Sequence, residues 1–235
     1  MSNILPQGAL LAARLQARFA ASEAIHVLAA ALGAFDTKLA LVSSFGAESA
    51  VLLHLAAQVD PSIDVIFVDT GKIFGETKSY REQLIETLKL SKVVTQRPSD
   101  YAINSQDAKG DLWLRQPDAC CALRKVAPLH DALKPYSAWI TGRKRGQTLD
   151  RSDLKHFEWD GEHVKINPLA GWSREEIETY MQSHALPHHS LKADGFLSIG
   201  CMPCTDRVEQ GQDSRSGRWS GIDKQECGIH QMRAS

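Results

Sequence analysis

Residues 38–49 read KLALVSSFGAES, an apolar run followed by a small-residue turn, and this stretch decides the fold. The run 38–43 predicts a buried strand, because its apolar residues follow one another without the alternation of a half-exposed strand. The turn 44–49 leads into apolar residues at helical spacing. A strand, a glycine turn and a helix start together leave backbone N–H groups free to bind an anion. A tight turn with no ligand explains the motif about equally well.

The alternation of strands and helices continues after this unit. Further strands are predicted at 63–68, 93–96 and 138–141, with helices at 76–90 and 122–133. We therefore predict an α/β fold with a doubly wound, mostly parallel sheet and helices on both faces. In such sheets, sites lie at the carboxyl ends of the strands.

The two ends of the chain differ in composition. Leu11, Leu15 and Phe19 recur at helical spacing, which predicts an amphipathic first helix rather than a transit peptide. From residue 205 onward apolar residues become sparse, and glycine, serine and charged residues dominate. Residues 1–204 are therefore predicted to form a single domain, and residues 205–235 a mobile C-terminal segment.

Bulk composition excludes several classes of protein. The 235 residues are 43% hydrophobic and 23% charged, with a net charge of −1, so no general basic field favours nucleic acid or anionic membranes. No apolar run approaches the roughly 18 residues that a membrane span requires. The five cysteines and the lack of a secretory signal argue against a disulfide framework. We expect a cytoplasmic protein with reduced thiols.

Four of the cysteines suggest one metal centre. Cys120 and Cys121 are adjacent, and Cys201 and Cys204 form a C-x-x-C pair. Such a set suits structural zinc or an iron–sulfur cluster. Adjacent thiolates are awkward ligands for a single tetrahedral ion and easier to place on two irons, which favours a [4Fe–4S] cluster. Four unrelated buried cysteines are the third alternative.

The fifth cysteine, Cys227, lies near the C-terminus in the sequence Glu-Cys-Gly-Ile-His. A thiol is reactive where a nearby cation stabilises its thiolate, and Lys224, His230 or an arginine could do so. A surface cysteine in a frayed terminus is the alternative. The surrounding motif favours a reactive thiol.

Basic residues cluster after the fourth strand and again near the C-terminus. The clusters comprise Arg143, Lys144, Arg145 and Arg151, and then Arg207, Arg215 and Arg218. Such runs are most often solvated surface. The first cluster follows a strand, however, and arginine side chains match the oxygens of phosphate and sulfate.

Taken together, these motifs resemble the assimilatory adenylyl-sulfate reductases, within the phosphoadenylyl-sulfate reductase family. The resemblance runs from about residue 35 to the end. Its most specific parts are CCALRK at 120–125, CMPC at 201–204, RSGRW at 215–219 and ECGIH at 226–230. The turn at 44–49 resembles a degenerate pyrophosphate loop of the adenine-nucleotide alpha hydrolase (PP-loop) superfamily. In that interpretation Phe45 crowds the space of the ATP pyrophosphate and Glu48 adds negative charge.

The resemblance implies a PP-loop-like nucleotide-binding reductase domain with these site residues. The catalytic nucleophile is Cys227, and the ligands of a [4Fe–4S] cluster are Cys120, Cys121, Cys201 and Cys204. The implied substrate-binding residues are Ser44, Gly46, Asp69, Thr70, Lys125, Gly142, Arg143, Arg215, Arg218 and His230.

The implied reaction is reduction of adenylyl sulfate to sulfite and AMP through an S-sulfocysteine at Cys227. Lys125, Arg215 and Arg218 would offset the repulsion between thiolate and sulfonate. Thioredoxin or a similar dithiol would release sulfite. No nucleic acid or membrane partner is expected. Whether the chain forms a homo-oligomer is left open by the sequence.

Two rival functions stay open. The first is reduction of phosphoadenylyl sulfate, or of both substrates, although the family's form that acts on the 3′-phosphorylated compound lacks the first four cysteines. The second is an ATP-dependent PP-loop tRNA thiolase. Phe45, Glu48 and the net charge argue against that ligase, which should keep an intact loop and a basic surface.

Overall fold

The computed structural model describes residues 6–147, 151–209, 211–222, 224 and 226–230. Within these, six strands form one sheet: β1 (Leu39–Val42), β2 (Asp64–Val68), β3 (Val93–Gln96), β4 (Ala138–Ile140), β5 (Phe157–Trp159) and β6 (Val164–Ile166). The strand order is β3-β2-β1-β4-β6-β5. All neighbours are parallel except β5, which pairs antiparallel with β6 at one edge. The predicted mostly parallel sheet is confirmed.

Nine α-helices surround this sheet in the described part of the chain. They are α1 (Gln7–Phe19), α2 (Ala24–Phe35), α3 (Ser49–Val59), α4 (Gly75–Leu88), α5 (Asp100–Gln106), α6 (Leu112–Arg115), α7 (Pro117–Cys121), α8 (Ala127–Leu133) and α9 (Arg174–Ser183). A capping box starts α9, with Ser173 and Glu176 each accepting a hydrogen bond from the other's backbone N–H. No helix among the described residues combines the length and apolar character that crossing a membrane requires.

The two faces of the sheet are covered differently. The larger core joins alternate strand residues such as Leu41, Phe67 and Ile140 to the apolar sides of α2, α3, α4 and α9. The smaller core lies on the other face, where Ala40, Ile66 and Trp139 meet Leu129 and Leu133 of α8. Helices therefore cover both faces, as a parallel sheet requires.

The predicted helix at 122–133 differs from the observed one. A π-helical turn, Ala122–Val126, separates α7 from α8, and the Ala127 N–H bonds to the Ala122 carbonyl five residues back. Pro128 has no N–H to continue the ordinary pattern of hydrogen bonds. Such turns are frequent at functional sites. Here the turn carries Arg124 and Lys125.

The beginning of the predicted C-terminal segment is packed against the domain. The Val208 N–H donates to the Gly195 carbonyl at 2.9 Å, and the Trp219 N–H donates to the Cys204 carbonyl at 3.2 Å. Trp219 is buried. Mobility of residues 205–235 stays a prediction.

Candidate active site

The main pocket lies where the strand order changes direction, between the carboxyl ends of β1 and β4. It has a volume of about 330 Å³ and is bordered by the loops after both strands and by the C-terminal segment. Ligands in doubly wound folds bind at this switch point. Eight predicted substrate-binding residues and the predicted nucleophile line it: Ser44, Gly46, Lys125, Gly142, Arg143, Arg215, Arg218, His230 and Cys227.

The turn after β1 is shaped by Phe45 and Gly46. Phe45 has a left-handed φ of +49° and is fully buried, with its ring edge-on to Phe67 at 5.4 Å. A Cβ on Gly46 would lie 3.2 Å from the Ile199 carbonyl oxygen. The expectation that Phe45 crowds the pocket is therefore wrong, because its side chain turns into the core. This leaves the pocket side of the turn to small residues.

The charge of Glu48 is balanced inside the pocket. Its carboxylate forms an ion pair with Lys144, which is buried. The added negative charge predicted from sequence is therefore neutralised by a neighbour. Lys144 follows β4, so this pair also joins the two loops that border the switch point.

Asp69 and Thr70 are predicted site residues that the structure does not bring into this pocket. Burial alone would raise the pKa of Asp69, but the Gly71 N–H and the cations of Lys78 and Arg97 lower it. Thr70 lies instead beside Cys201, with its hydroxyl oxygen 3.2 Å from the Cys201 sulfur.

The four cysteines Cys120, Cys121, Cys201 and Cys204 line a second, smaller pocket that shares Lys125 and Trp219 with the first. Burial raises the pKa of Cys120 to about 11 and also raises that of Cys204. These thiols are therefore protonated at neutral pH unless a metal displaces the proton. Among the described residues, no group of three or more His, Cys, Asp or Glu side chains is arranged to hold a metal ion. Four sulfur donors around one pocket nevertheless match the ligand chemistry of an iron–sulfur cluster.

A buried ion pair, missed from the sequence, holds the segment with the adjacent cysteines. Arg124 donates through Nε and Nη2 to Asp107 at 2.9 and 2.5 Å, and both side chains are buried. Arg124 Nη1 also donates to the Thr70 carbonyl at 2.8 Å. Removing one partner of such a pair leaves a buried charge unpaired. The position of Arg124 beside Lys125 was the only hint in the sequence.

Cys227 lies against the inner wall of the main pocket, half-buried. The Cys121 thiol, while it carries its proton, donates to the Cys227 sulfur and lowers the pKa of Cys227, and burial opposes this effect. Lys125, the Ile229 N–H and Arg218 lower it further. Burial alone would lower the pKa of Lys125, but the sulfurs of Cys201, Cys227 and Cys121 raise it. The geometry therefore favours a thiolate at Cys227 beside a charged lysine.

Ion pairs and one stacked ring hold the segment that carries Cys227. Glu226 binds Arg151 at 2.7 Å and lies 3.9 Å from Arg215. The His230 ring stacks on Trp139, with centroids 5.9 Å apart and planes at 6°. Burial and surrounding cations hold the pKa of His230 well below its ordinary value. Arg151 was noted in the sequence but not assigned to the site.

Comparisons with known proteins show the family of this chain. Residues 38–207 match the Phosphoadenosine phosphosulfate reductase domain. The chain is 48% identical to an adenosine 5′-phosphosulfate reductase of Chelativorans sp. (strain BNC1) over 221 residues, 93% of this chain and 90% of the relative. It is 40% identical to a phosphoadenosine 5′-phosphosulfate reductase of Gloeobacter violaceus over 209 residues, 87% of each chain.

A solved structure supports the fold. The phosphoadenylyl-sulfate reductase of Candida auris, in a phosphate complex, superposes with a TM-score of 0.72 at 24% identity, covering 88% of this chain and 100% of that one. The predicted PP-loop-like fold class is thus confirmed. By its domain match and its relatives, the chain belongs to the phosphoadenosine phosphosulfate reductase family.

Proposed function

We propose that this chain reduces adenylyl sulfate to sulfite and AMP, with Cys227 as the nucleophile. One observation carries the proposal: Cys227 lines a pocket rich in basic side chains, and two of them, Lys125 and Arg218, lower the pKa of its thiol. The names of the relatives supply the substrate class. The five cysteines favour the substrate without a 3′-phosphate.

In the first step the Cys227 thiolate attacks the sulfur of the sulfate group. A sulfur–sulfur bond forms and the bond from sulfur to the bridging oxygen breaks, so AMP leaves with the electron pair. Thiolate and sulfonate are both anionic, and Lys125, Arg215 and Arg218 offset their repulsion as fixed cations. The product on the enzyme is an S-sulfocysteine.

In the second step an external dithiol attacks the Cys227 sulfur and displaces sulfite. The second thiol of the donor then resolves the mixed disulfide and returns Cys227 as a thiol. The donor supplies two electrons and becomes a disulfide. Thioredoxin has the required pair of thiols, and the C-terminal segment must open to admit it. Oligomeric state and cytoplasmic location stay predictions.

We further propose that Cys120, Cys121, Cys201 and Cys204 hold a [4Fe–4S] cluster. When bound, the cluster would join the two cysteine-bearing segments and supply charge next to the anion site. This chain's own residues support such a centre, since Arg124 and Asp107 anchor one segment and Thr70 contacts Cys201. Structural zinc remains the rival outcome.

The test combines turnover with metal analysis. Anaerobically purified protein should contain about four irons and four sulfides and should release sulfite from adenylyl sulfate only when thioredoxin is present. The 3′-phosphorylated compound should react far more slowly. Faster turnover of that compound would favour the rival function, reduction of phosphoadenylyl sulfate. Stoichiometric zinc would rule out the assignment of an iron–sulfur cluster.

A further inference from the structure

Lys165 is a buried lysine that lies outside the substrate pocket. It occupies the middle of β6 with 3% of its surface exposed, and it does not line the main pocket. An apolar residue at this position would avoid the cost of removing an amine from water. Lys165 therefore weakens the sheet unless its contacts offset that cost.

Those contacts lead to the C-terminal segment. Lys165 pairs in register with Trp139 of β4 and Glu158 of β5, so all three side chains share one face of the sheet. Its Nζ lies 4.8 Å from the centre of the Trp139 ring and donates to the His230 carbonyl at 3.4 Å. Trp139 is fixed by its own hydrogen bond to Asp160 at 3.0 Å.

The same face explains why the segment lies here. Helix α8 covers this face over β1 and β2, through Leu129 and Leu133. Ile229 packs against the same cluster, and the His230 ring stacks on the Trp139 indole. Residues 226–230 thus cover a part of the sheet that a crossover helix covers elsewhere. We call Trp139 and Lys165 the tail seat.

We propose that Lys165 is a positioning residue that, with Trp139, holds the segment 226–230 closed over the substrate pocket. This inference deepens the proposed function, since it rests on Cys227 as the nucleophile. Lys165 acts through the segment, because it does not line the pocket and its amine donates to the His230 carbonyl.

The charges around the tail seat support this role. Burial lowers the pKa of Lys165 to about 7, and the cations of Arg143 and Arg151 lower it further, while Asp160 and Glu158 oppose them. The docked segment lies against this amine through the His230 carbonyl. Closing the segment therefore favours a neutral amine, which still donates to the His230 carbonyl.

The test is the exposure of Cys227 in anaerobic holoenzyme without nucleotide, measured as its alkylation rate by iodoacetamide. Lys165→Met keeps an unbranched apolar side chain of similar size and removes the donor. It should raise the rate about fivefold, as expected for one lost hydrogen bond. The unfolding midpoint should stay the same or rise, which a merely structural lysine would not allow.

The matched control is Val164→Ala, which weakens the same strand on its opposite face, in the larger core. It should lower the unfolding midpoint and leave the alkylation rate unchanged. An unchanged rate in Lys165→Met, or an equal rise in Val164→Ala, would overturn the proposal.

Turnover gives a second readout. Lys165→Met should lower kcat about fivefold and leave KM for the nucleotide within twofold, because only closure is affected. If wild-type protein forms no sulfite but Lys165→Met still exposes Cys227, the proposed function fails and the tail seat stands. If wild-type protein forms sulfite and Lys165→Met leaves Cys227 equally protected, the tail seat fails and the proposed function stands.

A second variant covers the case in which Lys165→Met does not fold. Ile229→Gly removes the side chain through which the segment packs against the smaller core, beside the tail seat. It should increase acetylation of Lys165 by acetic anhydride, while the exposed Lys92 reacts equally in both proteins. Equal labelling of Lys165 in wild type and variant would contradict the tail seat.

Discussion

The turn at 44–49 and the segment 226–230 border the same pocket, but they are held in opposite ways. The turn is anchored by the fully buried Phe45 and runs directly into the buried side of α3. The segment has only half-buried residues, held by ion pairs of Glu226, the contact of Ile229 and the stacked His230. The turn therefore suits a fixed platform, whereas opening and closing of the segment that carries Cys227 stays a prediction.

The largest expected effect comes from removing the nucleophile. Cys227→Ser should lower sulfite formation by on the order of 10⁴-fold or more, the scale expected when a covalent nucleophile is lost. The platform should stay intact, so nucleotide binding by calorimetry and iron content should match wild type. Near-normal sulfite release would end the assignment of Cys227.

The next largest effect is expected from Arg218, a cation that lines the main pocket together with the turn and the segment. Arg218→Gln should lower kcat by about 10²–10³-fold, as for other fixed groups that stabilise developing charge. Arg207→Gln is the control, because Arg207 lies in the same loop but contacts Phe196 and does not line the main pocket. Steady-state kinetics would distinguish the two variants. An equal decrease of kcat in both would contradict an electrostatic role of Arg218.

Two substitutions of apolar side chains, one in the turn and one in the segment, test how differently the two regions are held. Phe45→Ala should cost about 3–5 kcal/mol of stability, because a fully buried ring is lost from the main core. Ile229→Ala should cost less than about 1 kcal/mol globally, since the segment can open while the sheet stays folded. Anaerobic urea unfolding followed by circular dichroism measures both. Equal costs would show that the segment is part of the cooperative core.

The smallest expected effect is a dependence of closure on pH. The pKa of docked His230 is below its ordinary value of 6.5, so closure weakens as the pH falls through about 6.5. The docked pKa of Lys165 is also lowered, to about 7, so closure strengthens as the pH rises above 7. Arg143 and Arg151 contribute to both shifts.

The readout is the fluorescence of Trp139, isolated by comparison with Trp139→Phe. Its emission should shift to longer wavelength as the pH falls from 8 to 5.5, because the indole loses its cover. Lys165→Met should keep the acidic part of this change and lose the part above pH 7. Emission that stays constant over the whole range would argue against a titrating closure.

The sequence predicted the sheet and most of the pocket for physical reasons. Buried parallel strands need continuous apolar runs, and the carboxyl ends of these strands meet at one edge, so the loops predicted at 44–49 and 142–151 could be placed together from the sequence. The orientation of Phe45 could not, because it depends on one left-handed backbone angle and on the distant Phe67.

Contacts between distant segments escaped prediction for the same reason. The Asp107–Arg124 pair joins a loop to a π-helical turn, and the contact of Lys165 with His230 joins a strand to the C-terminal segment 65 residues later. Neither pair has a characteristic spacing. The short helices α5 and α6 were also missed, since four to seven residues show too little periodicity.

The most direct test of the central claim is the intact mass of anaerobic protein mixed with adenylyl sulfate in the absence of any reductant. If a closing segment delivers the nucleophile to a fixed platform, the protein gains one SO₃ group that maps to the peptide containing Cys227. The 3′-phosphorylated compound should give little or no adduct. The absence of any adduct from either compound, in protein with an intact metal centre, would contradict the account.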